Sequence, residues 1–133
     1  MKKLILSIAI ITSLIIAASC KKDNDKNNSS LLVNKWELVN TSYREVQNGV
    51  EVDTYNYTGV AGDYIDFRSD NKVYSHVDGD DDVAGYKLLN NNKVAIEGDT
   101  LEIRTLTAAS VTLYGKSFTD PTSYEENTVN LKR

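Results

Sequence analysis

Short runs rich in Val, Ile, Leu, Thr and Tyr, separated by Asn, Asp and Gly, recur along the chain from Leu31 onward and constrain its fold most strongly. Over this part of the sequence, no apolar stripe of useful length follows the i, i+3, i+4, i+7 spacing of an amphipathic helix. Eight runs have the character of strands: 35–44, 63–68, 72–77, 83–89, 93–97, 100–106, 111–116 and 124–132. An all-β domain is therefore predicted for residues 31–133.

The connections between these runs are mostly two to six residues long. Neighbouring strands joined so closely run antiparallel, because a parallel crossover needs about a dozen residues or more. Eight such strands can close on themselves and so remove their exposed edges. The sequence thus predicts an eight-stranded antiparallel up-and-down barrel, with a two-sheet sandwich as the alternative.

Residues 1–19 have the plan of a secretory signal peptide: Lys2 and Lys3, an apolar run of 15 residues, then small residues. The run is shorter than the roughly 20 residues that a membrane-spanning helix needs, although a short transmembrane anchor is the alternative. "AASC", residues 17–20, resembles the lipobox of bacterial lipoproteins. In that family the cysteine is acylated and the peptide is cut before it. The resemblance implies a cleaved signal-peptide helix over residues 1–19 and lipid attachment at Cys20.

Residues 21–30, "KKDNDKNNSS", contain no branched apolar or aromatic side chain that could join a core. With Cys20 they form a lipidated tether over residues 20–30, predicted to be disordered and to span roughly 17 Å. "CKKDND" also resembles the surface-export signal of Bacteroidota-type lipoproteins. That resemblance implies a bacterial outer-membrane protein, lipid-anchored and exposed at the surface, whereas a generic solvated tether fits any lipoprotein.

Charge and residue counts exclude several functions. The formal charge of the chain is −4, and removal of Lys2 and Lys3 with the signal peptide makes it −6, which repels nucleic-acid phosphate. One cysteine and one histidine allow neither an intramolecular disulfide nor a His/Cys zinc cluster. A Ser-His-Asp arrangement would depend on His76 alone, and no phosphate-binding glycine loop is present. We therefore expect no enzymatic activity, no cofactor and no nucleic-acid partner.

Three segments carry a second resemblance. "SLLVNKWELVN" is similar to the opening strand of lipocalin-like domains, "GDYIDFRSDNKVYS" to a hairpin of that family, and "LEIRTLTAASVTLY" to two of its late strands. The resemblance covers residues 31–132. It implies a cup-shaped barrel whose floor is closed by a tryptophan, and Trp36 is the matching residue.

Two functions from different classes follow from this barrel. In the first, the barrel binds a small apolar or amphipathic molecule against an inward set of residues: Trp36, Leu38, Ile65, Phe67, Val73, Leu101, Ile103 and Leu113. In the second, the barrel is filled, and its outer face or loops bind a protein partner in an envelope assembly. Side-chain volume distinguishes them, because an open cavity of several hundred Å³ would favour the first and a solid core the second.

The longest irregular stretch, Glu45–Gly62, lies between the first two predicted strands, where lipocalin-like domains carry a loop that can cover the cup, and the resemblance implies a lid here. Tyr55 and Tyr57 are two residues apart, so in an extended segment both face the same way and could stack on a ligand. The alternatives are that these tyrosines pack against the barrel mouth, or that Val50–Tyr57 adds an edge strand.

Asp78, Asp80 and Asp82 alternate like the first three ligands of a calcium loop. The glycine and the glutamate that complete such a loop are replaced by Val83 and Leu89. A solvated hairpin tip is the preferred interpretation, and we expect no metal site.

Overall fold

The computed structural model describes residues 30–89 and 92–133, and residues 31–133 form one compact unit. The strands of this unit, in chain order, are β1 (Lys35–Gln47), β2 (Val50–Thr58), β3 (Tyr64–Phe67), β4 (Lys72–Val77), β5 (Asp80–Leu89), β6 (Lys93–Ile96), β7 (Asp99–Leu106), β8 (Ser110–Asp120) and β9 (Ser123–Lys132). The predicted all-β class is confirmed, and each predicted run matches a strand to within a few residues. The expected signal-peptide helix, Cys20 and the tether up to residue 29 lie outside the described residues.

The strands close into a barrel. Their order is β1-β3-β4-β5-β6-β7-β8-β9, and β9 pairs back to β1, with every pair antiparallel. Each barrel strand therefore has neighbours on both edges. The predicted eight-stranded up-and-down barrel is confirmed, and the sandwich alternative is wrong.

β2 lies outside the barrel and corrects one prediction. The stretch 45–62, expected to be an irregular lid loop, contains the end of β1, a two-residue turn and all of β2. Asn48 and Gly49 in the turn have φ values of 51° and 77°, as a type I′ hairpin turn requires. β2 then pairs along the second half of β1, so the edge-strand alternative is the one that the structure confirms.

A bulge in β1 changes which of its residues face the barrel interior. Trp36 and Leu38 point inward, but the register with β9 shifts at Val39. One extra residue in a strand moves the following side chains to the opposite face. As a result Thr41 and Tyr43, rather than their even-numbered neighbours, continue the inward-facing row.

Apolar side chains from every barrel strand meet in a single core, to which β9 contributes from its second half only. Leu32, which precedes β1, is fully buried and belongs to it. The buried members are Leu32, Trp36, Leu38, Phe67, Val73, Tyr86, Val94, Ile103, Val111, Leu113 and Leu131.

Four strands continue beyond the barrel as a sheet of their own, in the order β8–β9–β1–β2. This extension sheet consists of residues 115–120, 123–127, 43–47 and 50–57. Its two hairpin tips are joined, because the N–H of Gly49 donates to the carbonyl of Thr122 (2.8 Å) and the N–H of Asn48 to the hydroxyl of Ser123 (3.0 Å).

Candidate functional site

The side chains that were predicted to face inward do lie in the barrel interior. Of the predicted inward set, Trp36, Leu38, Phe67, Val73, Ile103 and Leu113 are at most 7% exposed, and Ile65 and Leu101 pack against them. Side chains that line a void large enough for water would expose surface to it. Their near-zero exposure shows that these groups contact one another instead, as in a protein core.

The end of the barrel nearest the start of β1 is sealed. The Trp36 indole N–H donates to the Leu32 carbonyl (3.0 Å), which holds the segment before β1 under the barrel. The Arg133 guanidinium lies 5.0 Å from the centre of the Trp36 ring. Trp36 therefore lies fully buried at this end of the barrel.

At the opposite end of the barrel, the Asp63 side chain forms hydrogen bonds with three segments of the chain. Asp63 is 4% exposed, and its carboxylate accepts hydrogen bonds from the Tyr57 hydroxyl (2.6 Å), the Val60 N–H (2.9 Å) and the Asp78 N–H (3.2 Å). The first of these bonds is the main reason why the pKa of Tyr57 is raised to about 12, and burial is the next. Tyr57 is thus a structural side chain of the barrel rim rather than a free lid residue.

Tyr55 lies on the same face of β2 as Tyr57 but is 53% exposed. It is directly opposite Tyr43 on β1, which is in turn opposite Asn127 on β9. The two tyrosines that the sequence singled out therefore have different environments. Tyr55 belongs to an open surface, on the face of the extension sheet that continues the barrel interior, which we call the inner face.

A cleft of about 390 Å³ opens where the inner face meets the β6–β7 turn. Its wall carries the Tyr43 ring, and the side chains of Asp99, Glu125 and Asn127 form no hydrogen bond with another described side chain. We call it the rim cleft, and its lining residues are Tyr43, 98–101, 115–117 and 125–127. It offers an aromatic ring together with carboxylate and amide groups that can bond to an incoming molecule.

Three carboxylates lie in one row across the inner face. Asp53 on β2 is opposite Glu45 on β1, which is opposite Glu125 on β9. Burial, followed by the negative charges of Glu125, Glu45 and Asp53, raises the pKa of the neighbouring Tyr43 hydroxyl. None of these three carboxylates forms an ion pair within residues 30–89 and 92–133. The inner face is therefore locally negative.

On the outer face of the same sheet, acidic side chains form ion pairs with basic side chains of the sheet itself. Arg44 bonds Glu51 (2.7 Å) and Glu126 (3.2 Å), and the Lys116 ammonium lies 3.7 Å from Glu126. A hydrogen bond from the Tyr114 hydroxyl is the main reason why the pKa of Glu126 is lowered. The two faces of the extension sheet thus differ in charge balance, although both carry acidic residues.

The β4–β5 hairpin tip carries Asp78, Asp80 and Asp82, the three aspartates that alternate in the sequence. Asp78 has a φ of 55° in the turn and uses its backbone N–H to bond Asp63, while the Asp82 carboxylate accepts the Val83 N–H (2.8 Å). His76 is 2.8 Å from Asp81 at the surface. Over the described part of the chain, no group of three or more His, Cys, Asp or Glu could hold a metal ion, and this includes Asp78, Asp80 and Asp82.

Sequence reasoning singled out none of Tyr43, Glu45, Asp53 and Glu125 individually, although Glu45 and Asp53 lie within the predicted lid stretch 45–62. The Asn48-Gly49 pair was the one local signal for the hairpin that assembles them, because this dipeptide favours type I′ turns.

No protein-family model matches the chain, and no curated protein is significantly similar to it. Among the residues that the structure describes, no helix is long and apolar enough to cross a membrane.

Proposed function

We propose that this protein is a lipid-anchored, non-enzymatic interaction module of a bacterial cell envelope, in which the filled barrel is the scaffold and the extension sheet carries the binding surface. The packed interior is the observation that carries this proposal. Trp36, Phe67 and Leu113 are at most 2% exposed, so the apolar part of the interior is packed. A ligand pocket needs several hundred Å³, and the rim cleft, which has that size, is open and lined largely by polar groups. The burial of the three interior side chains disfavours the other expectation, a small apolar or amphipathic molecule inside the barrel.

The clefts support recognition at the surface. Besides the rim cleft, an open groove of about 270 Å³ runs along the tip of the extension sheet, lined by 45–48, 119–120 and 123–125. Both are lined largely by polar and charged side chains. Such open, polar concavities suit contacts with side chains of a protein partner better than enclosure of an apolar molecule.

The anchor is inferred from the sequence alone. The basic start, the short apolar run and the small residues before Cys20 support acylation of that cysteine. Each buried CH₂ contributes about 0.8 kcal/mol to membrane binding, so two or three acyl chains would hold the protein almost permanently at the outer membrane. The tether would then present the barrel near the membrane surface.

Native mass spectrometry of the full chain, extracted from its own envelope in mild detergent, tests the filled barrel. We expect the mass of the chain alone or with a protein partner. A stoichiometric apolar small molecule, retained after detergent exchange, would overturn the proposal.

The anchor is tested separately by Cys20→Ser, with Ser19→Ala as the matched control because it keeps both the cysteine and a small residue before it. We expect Cys20→Ser to leave the membrane fraction and to lose the acyl mass, and Ser19→Ala to retain both. Membrane association and acyl mass that persist in Cys20→Ser would refute lipid attachment at this residue.

A further inference from the structure

β2 presents an unpaired strand edge. Within the described strands it pairs with β1 alone, and Gly59 at its end donates its N–H to the Val39 carbonyl (2.9 Å). In an antiparallel pair every second residue bonds the same neighbour, so the odd-numbered residues of this part of β2 bond β1. The backbone N–H and C=O groups of the intervening residues point away from the sheet: Thr54, Asn56 and Thr58.

This edge has only part of the usual protection against strand addition. Natural edge strands carry Lys or Pro, are very short, or are bulged. β2 has nine residues and neither Lys nor Pro, and its register shift against β1, at Val52, lies before Thr54, Asn56 and Thr58 in the strand. Its side chains are β-branched or aromatic at six positions, and all but one of its residues are exposed. An extended segment of another chain could therefore add to β2 as a further strand.

The negative charge of the inner face indicates that the added segment would be basic. The row of Asp53, Glu45 and Glu125 ends at β2, so a side chain on an added strand opposite Asp53 would extend the row by one position. Like charges directly opposite each other across strands destabilise a sheet, and an opposite charge at the end of the row relieves this. Lys or Arg at this position would also face the exposed ring of Tyr55, on which a cation is favoured.

We propose that the β2 edge binds an extended basic segment of a partner protein by strand addition, with Lys or Arg side chains over the inner-face carboxylates. This inference rests on the proposed function as an interaction module and names its surface and the class of its partner. A second copy of this chain fits less well, because β2 contains Glu51 and Asp53 but no basic residue. Pairing two β2 edges would bring acidic strands together with no cation between them.

The experiment uses the full chain in mild detergent and two fluorescent nine-residue peptides, one alternating Lys with Thr and the other Glu with Thr. We expect the Lys peptide to raise fluorescence anisotropy at submillimolar concentration, with affinity that falls as salt is added, and the Glu peptide not to bind. Thr54→Pro blocks the edge and should abolish binding: it removes an N–H that β1 does not use, together with the Thr54 hydroxyl, which donates to the Tyr43 carbonyl of β1 (3.3 Å). Thr54→Val is the matched control, because it loses the same hydroxyl bond but keeps the N–H, and it should bind normally.

A second variant tests the charges without altering the edge. Asp53→Asn with Glu125→Gln should weaken binding of the Lys peptide about tenfold. The control, Asp80→Asn with Glu102→Gln, removes the same charge elsewhere on the barrel and should leave the affinity unchanged.

The proposal would be overturned by no binding of the Lys peptide, by equal binding of the Glu peptide, or by unchanged binding to folded Thr54→Pro. A concentration-dependent dimer of the peptide-free chain that Thr54→Pro dissolves would assign the edge to a second copy, and would equally overturn it. These outcomes are independent of the barrel contents and of the anchor, so they are distinguishable from a failure of the proposed function.

Discussion

Gly59 lies where the chain leaves β2 for β3, and the backbone around it leaves no room for a side chain. A Cβ at this position would overlap the carbonyl group of Leu38, which belongs to the backbone of β1 and cannot swing aside. The Gly59 N–H bonds the adjacent Val39 carbonyl, so the two segments are held close together. This residue therefore fixes the approach of β2 to the barrel.

Gly59→Ala is expected to lower the free energy of unfolding by about 1–3 kcal/mol, because the backbone of β1 or β2 must shift to admit the methyl group. Urea unfolding followed by Trp36 fluorescence measures this. Gly85→Ala is the matched control, since a Cβ at Gly85 meets no atom within 4 Å. Equal stability of the two variants would contradict the close approach at Gly59.

Asp63 is expected to make stability depend on pH in the acid range. Hydrogen bonds from the Tyr57 hydroxyl and then from the Val60 N–H hold the pKa of the Asp63 carboxyl below its ordinary value of 3.8. Because the folded pKa is the lower one, this contribution is complete above the ordinary value and is lost as the pH falls through the folded pKa. Urea unfolding from pH 7 down to the acid range should show that loss.

Tyr57→Phe removes the strongest of the Asp63 hydrogen bonds and keeps the ring. The other carboxylates contribute equally to both proteins. The free energy of unfolding of Tyr57→Phe should therefore fall less steeply with acidification than that of the unaltered protein. Parallel curves for the two proteins would show that the bond does not set the pKa of Asp63.

At the scale of elements, the barrel strands were predictable because apolar and polar residues alternate along each strand and a polar turn adjoins it. Lys72–Val77 has the predicted bounds, and Ser69-Asp70-Asn71 forms the turn before it. β2 was not predicted as the leading interpretation, because neither of its faces is buried and its sequence therefore carries no apolar face. The Asn48-Gly49 pair, which favours a type I′ turn, was the local signal that would have indicated the hairpin.

The inner face of the extension sheet could not be read from local sequence. Trp36 and Leu38 indicate that even-numbered residues of β1 face inward, and by that rule Tyr43 and Glu45 would face outward. The bulge at Val39 reverses the rule, and a bulge depends on the register with β9, about 90 residues later in the chain. The carboxylate row likewise exists only after three strands have paired.

Hydrogen exchange should alternate along β2. The amides of Tyr55, Tyr57 and Gly59 face β1 and should be protected, whereas those of Thr54 and Asn56 face solvent and should exchange rapidly. Residue-resolved exchange measured by NMR on the full chain in detergent tests this. Uniform protection would mean that the edge is already covered, and uniformly fast exchange that the β1–β2 hairpin opens.

At the scale of the whole molecule, the closed ring of strands and the packed core both connect the barrel strands to one another. Closure gives every barrel strand two neighbours, and the core then joins Leu32 before β1 to Leu131 in β9. β2 has neither property, since it is outside the closed ring and its side chains are mostly exposed. The molecule thus consists of a closed, packed barrel and an attached strand with an exposed edge, the edge that we propose as the binding surface.

A filled barrel predicts that truncation of an interior side chain costs stability even though no ligand is present. Val111 on β8 is 1% exposed, and Val50 on β2 is 64% exposed. Val111→Ala removes two methyl groups from packed surroundings and should lower the free energy of unfolding by about 2 kcal/mol, whereas the chemically identical Val50→Ala should change it by less than about 0.5 kcal/mol. Urea unfolding of both variants measures the difference. If Val111→Ala were as stable as Val50→Ala, the interior would have to be loosely packed, and a barrel that encloses a ligand would become the better interpretation.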